Sequence, residues 1–278
     1  MVSLKNILST VLLASTALAL PPPLRRESGS NNQTTSPGGS KRGAAYNDVS
    51  AVKALNKNSA ISWAYNWAAT PDGDLPEGVE FVPMLWGTKS LSDFAANIET
   101  FLTGSSPSGS KYIMGFNEPD ASNQASMAVS DAASTFKQFI TPYTGSATLV
   151  SPAVTNSESA NQGLDWMSQF LSSCSDCSVS VLAVHWYGSD AGDFMKFVRQ
   201  AMDTANQHGL KEVWVTEFAF GQDLNRQSTS GDSVDFLRKV QPWLDRQKMV
   251  TRYAYFWAQD GFLVQGNQPS SAGWAYIG

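Results

Sequence analysis

From residue 43 onward the chain alternates short apolar runs with stretches whose apolar residues recur every three or four positions. The runs are Gly43–Tyr46, Ile61–Tyr65, Val79–Trp86, Tyr112–Phe116, Thr148–Ser151, Val179–His185, Glu212–Thr216 and Arg252–Trp257. Each is short, rich in β-branched and aromatic residues, and bounded by polar or turn-forming residues, which predicts buried strands. Between them lie amphipathic faces such as Phe94, Ile98, Phe101 and Leu102 after a capping-type start at Ser90. Leu164, Met167, Phe170 and Leu171 give a second face, and Phe194, Phe197, Val198, Ala201 and Met202, stopping at Gly209, a third. Strand and helix repeated eight times predict an α/β protein, a single-domain (β/α)8 TIM barrel. An open doubly wound sheet is the alternative, but no glycine-rich dinucleotide turn follows the first strand.

The barrel pattern begins only after a different kind of sequence. Lys5, an apolar run to Leu18 and the Ala17-Leu18-Ala19 end read as a signal peptide over residues 1–19. Residues 20–42 are rich in Pro, Ser, Gly and Asn, predicting a disordered pro-segment that ends in the dibasic pair Lys41-Arg42. Residues 43–278 are left as the catalytic domain, and a secreted protein, extracellular or in a cell wall, is expected. The mature chain has no run of about 20 apolar residues, so no membrane association is expected after signal cleavage. A formal net charge of −5 argues against nucleic acid as partner, because no basic surplus exists to neutralise phosphates. Cys174 and Cys177, the two cysteines, are expected to close a local disulfide in an oxidising compartment. With two histidines and no second cysteine pair, no metal or organic cofactor is implied.

In a parallel barrel the working residues sit where strands end. The fourth run ends Gly115-Phe-Asn-Glu-Pro-Asp120 and the seventh Val215-Thr-Glu-Phe218. A glutamate in an apolar strand ending is costly unless something there uses it. Two of them, Glu118 and Glu217, three strands apart, would face one cavity. Paired carboxyl groups suit glycoside hydrolysis, in which one protonates the leaving oxygen and the other attacks or activates water. His185 and Tyr187 alternate on the sixth strand and are expected to share that cavity, with Trp186 pointing away. An aromatic content of 11%, including 9 Trp, offers rings for stacking on sugars. Trp257 ends the eighth strand as a candidate platform. Asn66 and then Tyr65 on the second strand, and Trp86 on the third, are the other preferred binders. Trp214 has the parity opposite to Glu217, which places it under a helix.

The strings Ala64-Tyr-Asn-Trp67, Gly115-Phe-Asn-Glu-Pro-Asp120, Ala183-Val-His-Trp-Tyr187 and Trp214-Val-Thr-Glu-Phe218 together resemble glycoside hydrolase family 128 of clan A, which includes fungal Asl1-like proteins. The resemblance covers residues 43–278. It implies a β-1,3-glucanase with a retaining mechanism, Glu118 as acid/base and Glu217 as nucleophile, and Asn117 donating to the sugar 2-hydroxyl. It also implies β-glucan polysaccharide as partner, taken by a monomer. Another clan A β-glycanase, acting on β-1,4-glucan or mannan, and a non-catalytic β-glucan-binding wall protein are the competing readings.

Overall fold

The computed structural model describes residues 40–102, 110–221 and 231–278. The expected signal peptide, most of the pro-segment and much of the loop after the seventh strand lie outside the described residues. Eight parallel strands appear in the expected order. β1 (Gly43–Ala45), β2 (Trp63–Tyr65) and β3 (Glu80–Phe81) form one sheet in the order β1-β2-β3. β4 (Tyr112–Met114), β5 (Thr148–Val154), β6 (Val179–Gly188), β7 (Glu212–Phe220) and β8 (Val250–Tyr255) form a second sheet in sequence order. Single parallel bridges join the sheets at both margins: Met84 with Met114 on one side, Arg42 with Tyr253 and Tyr46 with Ala258 on the other. The observed architecture is therefore two curved parallel sheets linked by bridges, not one continuous eight-stranded ladder.

The break falls where the sequence explains it. The run Val79–Trp86 was expected as one strand, but only Glu80–Phe81 pairs as β3. Pro83 has no N–H to give to a ladder, and its carbonyl instead accepts from Met114 N at 2.9 Å. At the next strand, Gly115 allows close approach: a Cβ there would sit 2.7 Å from the Pro152 nitrogen of the neighbouring strand.

Helices cover the outer face. α1 (Val49–Leu55) starts at Asp48, whose side chain accepts from Ser50 N at 2.8 Å. α2 (Leu91–Leu102) buries Phe94, Ile98 and Phe101, and α3 (Val129–Phe139) buries Ala132, Ala133 and Phe136. α4 (Gly163–Ser173) buries Trp166, Met167, Phe170 and Leu171. α5 (Ala191–Gln207) is followed by Gly209 at φ 76°. α6 (Gly231–Arg246) and α7 (Ser271–Ile277) complete the set. The rings and aliphatic chains on these faces are each worth roughly 1.5–3 kcal/mol when removed from water. Just after α4, Cys174 and Cys177 are bonded to each other, with Cα atoms 5.0 Å apart.

A second apolar cluster fills the concave side, and it draws on both sheets: Trp63, Tyr65, Val82, Met84, Met114, Val150, Ala183 and Trp214 belong to it. Trp214 was expected under a helix and lies here instead. The reason is a β-bulge. Val184 pairs with Val215, but the next residue, His185, pairs with Glu217, so β7 carries one extra residue. That residue resets the alternation, and Trp214 and Glu217 face the same interior. Below the cluster, the Arg252 guanidinium lies 4.4 to 5.5 Å from the ring centres of Tyr112, Trp214 and Trp63 and ion-pairs with Glu80. Among the described residues no helix is long and apolar enough to cross a membrane.

The two residues before the expected boundary, Lys41 and Arg42, are packed against the domain. Lys41 Nζ donates to the carbonyls of Leu244, Asp245 and Gln247 at 3.2, 3.0 and 2.8 Å, capping the end of α6. Its own carbonyl accepts from Tyr253 N at 3.0 Å, and Ser62 N donates to the Arg42 carbonyl at 3.0 Å. The Arg42–Gly43 bond therefore leads straight into β1, and a protease needs an accessible extended segment that this arrangement does not offer. A dibasic-specific endoprotease should leave this bond intact in the folded protein while cutting it in the denatured chain, as read by intact mass. Release of a chain beginning at Gly43 from folded protein at the denatured rate would contradict this.

Candidate active site

Glu217 lies inside β7, three residues from its end, and its side chain is 7% exposed. A carboxylate this buried needs donors, and the surrounding strands supply them. Trp67 Nε1 donates to Oε1 at 2.8 Å and Tyr187 Oη to Oε2, while Tyr65 Oη shares its one proton between the Thr216 carbonyl at 3.0 Å and Oε1 at 3.3 Å. Burial pushes the Tyr65 and Tyr187 hydroxyls well above the ordinary phenol range, and the Glu217 charge raises them further. Both stay protonated donors through neutral pH. Donors on both oxygens are the surroundings that a charged carboxylate requires.

Glu118 stands just past β4, with its peptide nitrogen donating to the Ala153 carbonyl at 2.8 Å. Its φ is 43°, a left-handed conformation that costs a non-glycine residue roughly 1–2 kcal/mol. The turn brings its carboxyl group to His185, whose Nδ1 lies 2.8 Å from Glu118 Oε1 and 3.4 Å from Glu217 Oε2. His185 is fully buried. Burial alone lowers its pKa, but the Glu217 charge and the Glu118 hydrogen bond outweigh it, and the net direction is upward. Placed between the two carboxyl groups, the ring is where a proton would offset their repulsion. One oxygen each of Glu118 and Glu217 and the His185 Nδ1 all lie within 4.8 Å of one another. These are also the atoms that a divalent cation would meet in this cleft.

The two glutamates open onto a cleft of about 300 Å³. Trp86, Asn117, Tyr187 and Trp257 line it with them, so six of the residues expected at the site come together here. Tyr65 and His185 sit behind this wall, against the carboxylates. Asn66 does not join them. Its side chain donates to the Thr70 carbonyl and accepts from Ala68 N, which shapes the turn after β2. The neighbour, Trp67, takes the place beside Glu217. Strand parity does not account for this: Trp67 lies past the end of β2 at φ 59°, and that left-handed turn brings its ring edge-on to Tyr65, centroids 5.2 Å apart. Asn47, Gln124 and Phe256 also line the cleft and were not anticipated. Phe256 adjoins Trp257, but no pattern marks Asn47 or the loop residue Gln124. Asn117 Nδ2 donates to Gln124 Oε1 at 3.2 Å. Its Oδ1 and the Trp257 Nε1 are buried without a hydrogen-bond partner, one acceptor and one donor in residues that line the cleft.

Comparison with known proteins shows what the chain as a whole resembles. Residues 43–276 match the model of the glycosyl hydrolase catalytic core. Alkali-sensitive linkage protein 1 of Schizosaccharomyces pombe is 33% identical over 204 residues, 72% of this chain; the chain spans 35% of that relative's length. Among solved structures, a family 128 subgroup III curdlan-specific exo-β-1,3-glucanase from Blastomyces gilchristii, in complex with glucose, superposes with a TM-score of 0.76. It is 38% identical, and the match covers 85% of this chain and 97% of the other. A family 128 subgroup I endo-β-1,3-glucanase from Amycolatopsis mediterranei, in complex with laminaritriose, gives 0.70 at 28% identity over 86% and 99% of the two chains. The chain belongs to the glycosyl hydrolase catalytic core family and, within it, to glycoside hydrolase family 128.

Proposed function

We propose that the protein is a secreted retaining β-1,3-glucan hydrolase, with Glu217 as nucleophile and Glu118 as acid/base, and that its two sheets act as one (β/α)8 barrel. The observation that carries the mechanism is the pair of carboxyl groups with oxygens within 4.8 Å in one cleft, the Glu217 group held by donors on both its oxygens. Retaining enzymes place the two groups about 5–5.5 Å apart, and inverting ones about 6.5–9.5 Å, to leave room for water. The relatives that act on β-1,3-glucan support the substrate. The bridges at both sheet margins support the barrel, and the leader-like residues 1–19 support secretion.

The reaction follows from the placement. A glucosyl unit stacks on Trp257 with its anomeric carbon over Glu217. A Glu217 oxygen forms a bond to that carbon as the glycosidic bond breaks, and Glu118 gives its proton to the departing oxygen. The glucosyl–enzyme ester then yields to water, whose proton returns to Glu118. Tyr65, Trp67 and Tyr187 hold the nucleophile in line. Asn117 and its neighbours take the sugar hydroxyls.

On laminarin, Glu118→Gln should lower kcat/KM by about 10²- to 10⁴-fold, the usual share of general acid catalysis. Glu217→Gln should lose at least as much and still bind the polymer in a pull-down. Release of sugar from no β-glucan by the wild type, with binding intact, would leave the non-catalytic reading instead. Tyr187→Phe removes one hydrogen bond to a charged group, worth about 1.5–3 kcal/mol, so kcat should fall by about 10- to 100-fold. An unchanged kcat for that variant would show that Tyr187 does not support the nucleophile.

A further inference from the structure

Two residues past the acid stands a second buried carboxylate, Asp120, which the mechanism leaves unused. It is fully engaged by another loop. Thr155 Oγ1 donates to Asp120 Oδ2 at 2.6 Å, Thr155 N approaches Oδ1 and Oδ2 at 3.2 and 3.3 Å, and Gly163 N donates to Oδ2 at 2.8 Å. Thr155 follows the end of β5 and Gly163 opens α4. The receiving end is built for the contact. Gly163 has φ 54°, and a Cβ there would lie 2.1 Å from the Ser157 carbonyl oxygen. Glycine is thus the residue that can present this N–H to Asp120.

The other end of the connection is the strained turn at Glu118. Its left-handed φ persists only if the surroundings hold it. On the upstream side the Glu118 N–H is fixed to Ala153, one strand over. Downstream, Pro119 leaves little freedom between Glu118 and Asp120, and Ala121 N closes the turn on the Glu118 carbonyl at 3.1 Å. Both anchors lead to the same neighbour, the end of β5 and the loop after it. We propose that Asp120 is the positioning residue of the acid/base: its charged contacts to Thr155 and Gly163 hold the Glu118 turn, and so keep the Glu118 carboxyl group aimed at the glycosidic oxygen and at His185. This rests on the assignment of Glu118 as the acid.

The test uses a leaving group that needs no proton. Asp120→Ala should lower kcat on laminarin by about 10- to 100-fold, the cost of a misplaced catalytic group, with KM within about twofold. On a dinitrophenyl β-laminaribioside, whose phenolate departs unassisted, its glycosylation rate should stay within about threefold of wild type. Asp120→Asn keeps an acceptor in place and should recover part of the laminarin rate. Thr155→Val removes one donor from the receiving end and guards against a fold defect in Asp120→Ala; it should show the same substrate split, more weakly. Equal losses on both substrates, or full laminarin activity in Asp120→Ala, would overturn the inference. Glu118→Gln is the control that separates the two claims. If it shows no dependence on leaving group, the acid assignment falls and the inference with it. If it does and Asp120→Ala does not, the inference alone falls.

Discussion

Glu217 carries its carboxyl group in a place where water hardly reaches it, and the site is organised around that burial. An isolated carboxylate so buried is expensive, and the cost is lowered only by donors and opposite charge at close range. β2 and the turn after it supply Tyr65 and Trp67, while β6 supplies Tyr187 and His185. No single element could deliver this shell. It needs strands from both sheets to end around one point, which parallel strands of a curved sheet do, since all their carboxyl ends share one rim. The same packing that satisfies the charge fixes its direction toward the cleft.

The second carboxyl group is handled differently. Glu118 is not held in a strand but in a turn with a left-handed backbone, close to His185. A strained turn can aim a side chain where no regular element would, provided its flanks are tied down. The two glutamates therefore reach the same cleft by opposite means, one through a dense shell of donors and the other through backbone geometry. His185 couples them electrostatically.

Much of this was legible in the sequence. Eight apolar runs announced the strands, and two glutamates at the fourth and seventh endings announced the site. The alternation of His185 and Tyr187 on β6 correctly paired them against Trp186, which packs on Phe194 and Phe236. Parity failed where the ladder was irregular. A one-residue bulge in β7 turned Trp214 inward, and nothing in Val-Trp-Val-Thr-Glu marks a bulge, because it depends on how two strands match along their whole length. At the end of β2 the eye falls on Asn66 as the polar residue, yet the turn consumes its side chain and hands the role to Trp67. The contact of Asp120 with Gly163 spans 43 residues. Sequence patterning is local and does not report such a partnership. Likewise, nothing in Lys41-Arg42 shows that the Lys41 side chain reaches the Gln247 carbonyl at the end of α6, 206 residues on.

The stereochemistry of the first product tests the central claim most directly. Proton NMR during early hydrolysis of a laminari-oligosaccharide separates the two anomers before they interconvert. A double displacement through Glu217 predicts that the β-anomer appears first and the α-anomer grows in only by mutarotation. Initial release of the α-anomer would mean a single inversion by activated water, and would contradict the assignment of Glu217 as nucleophile.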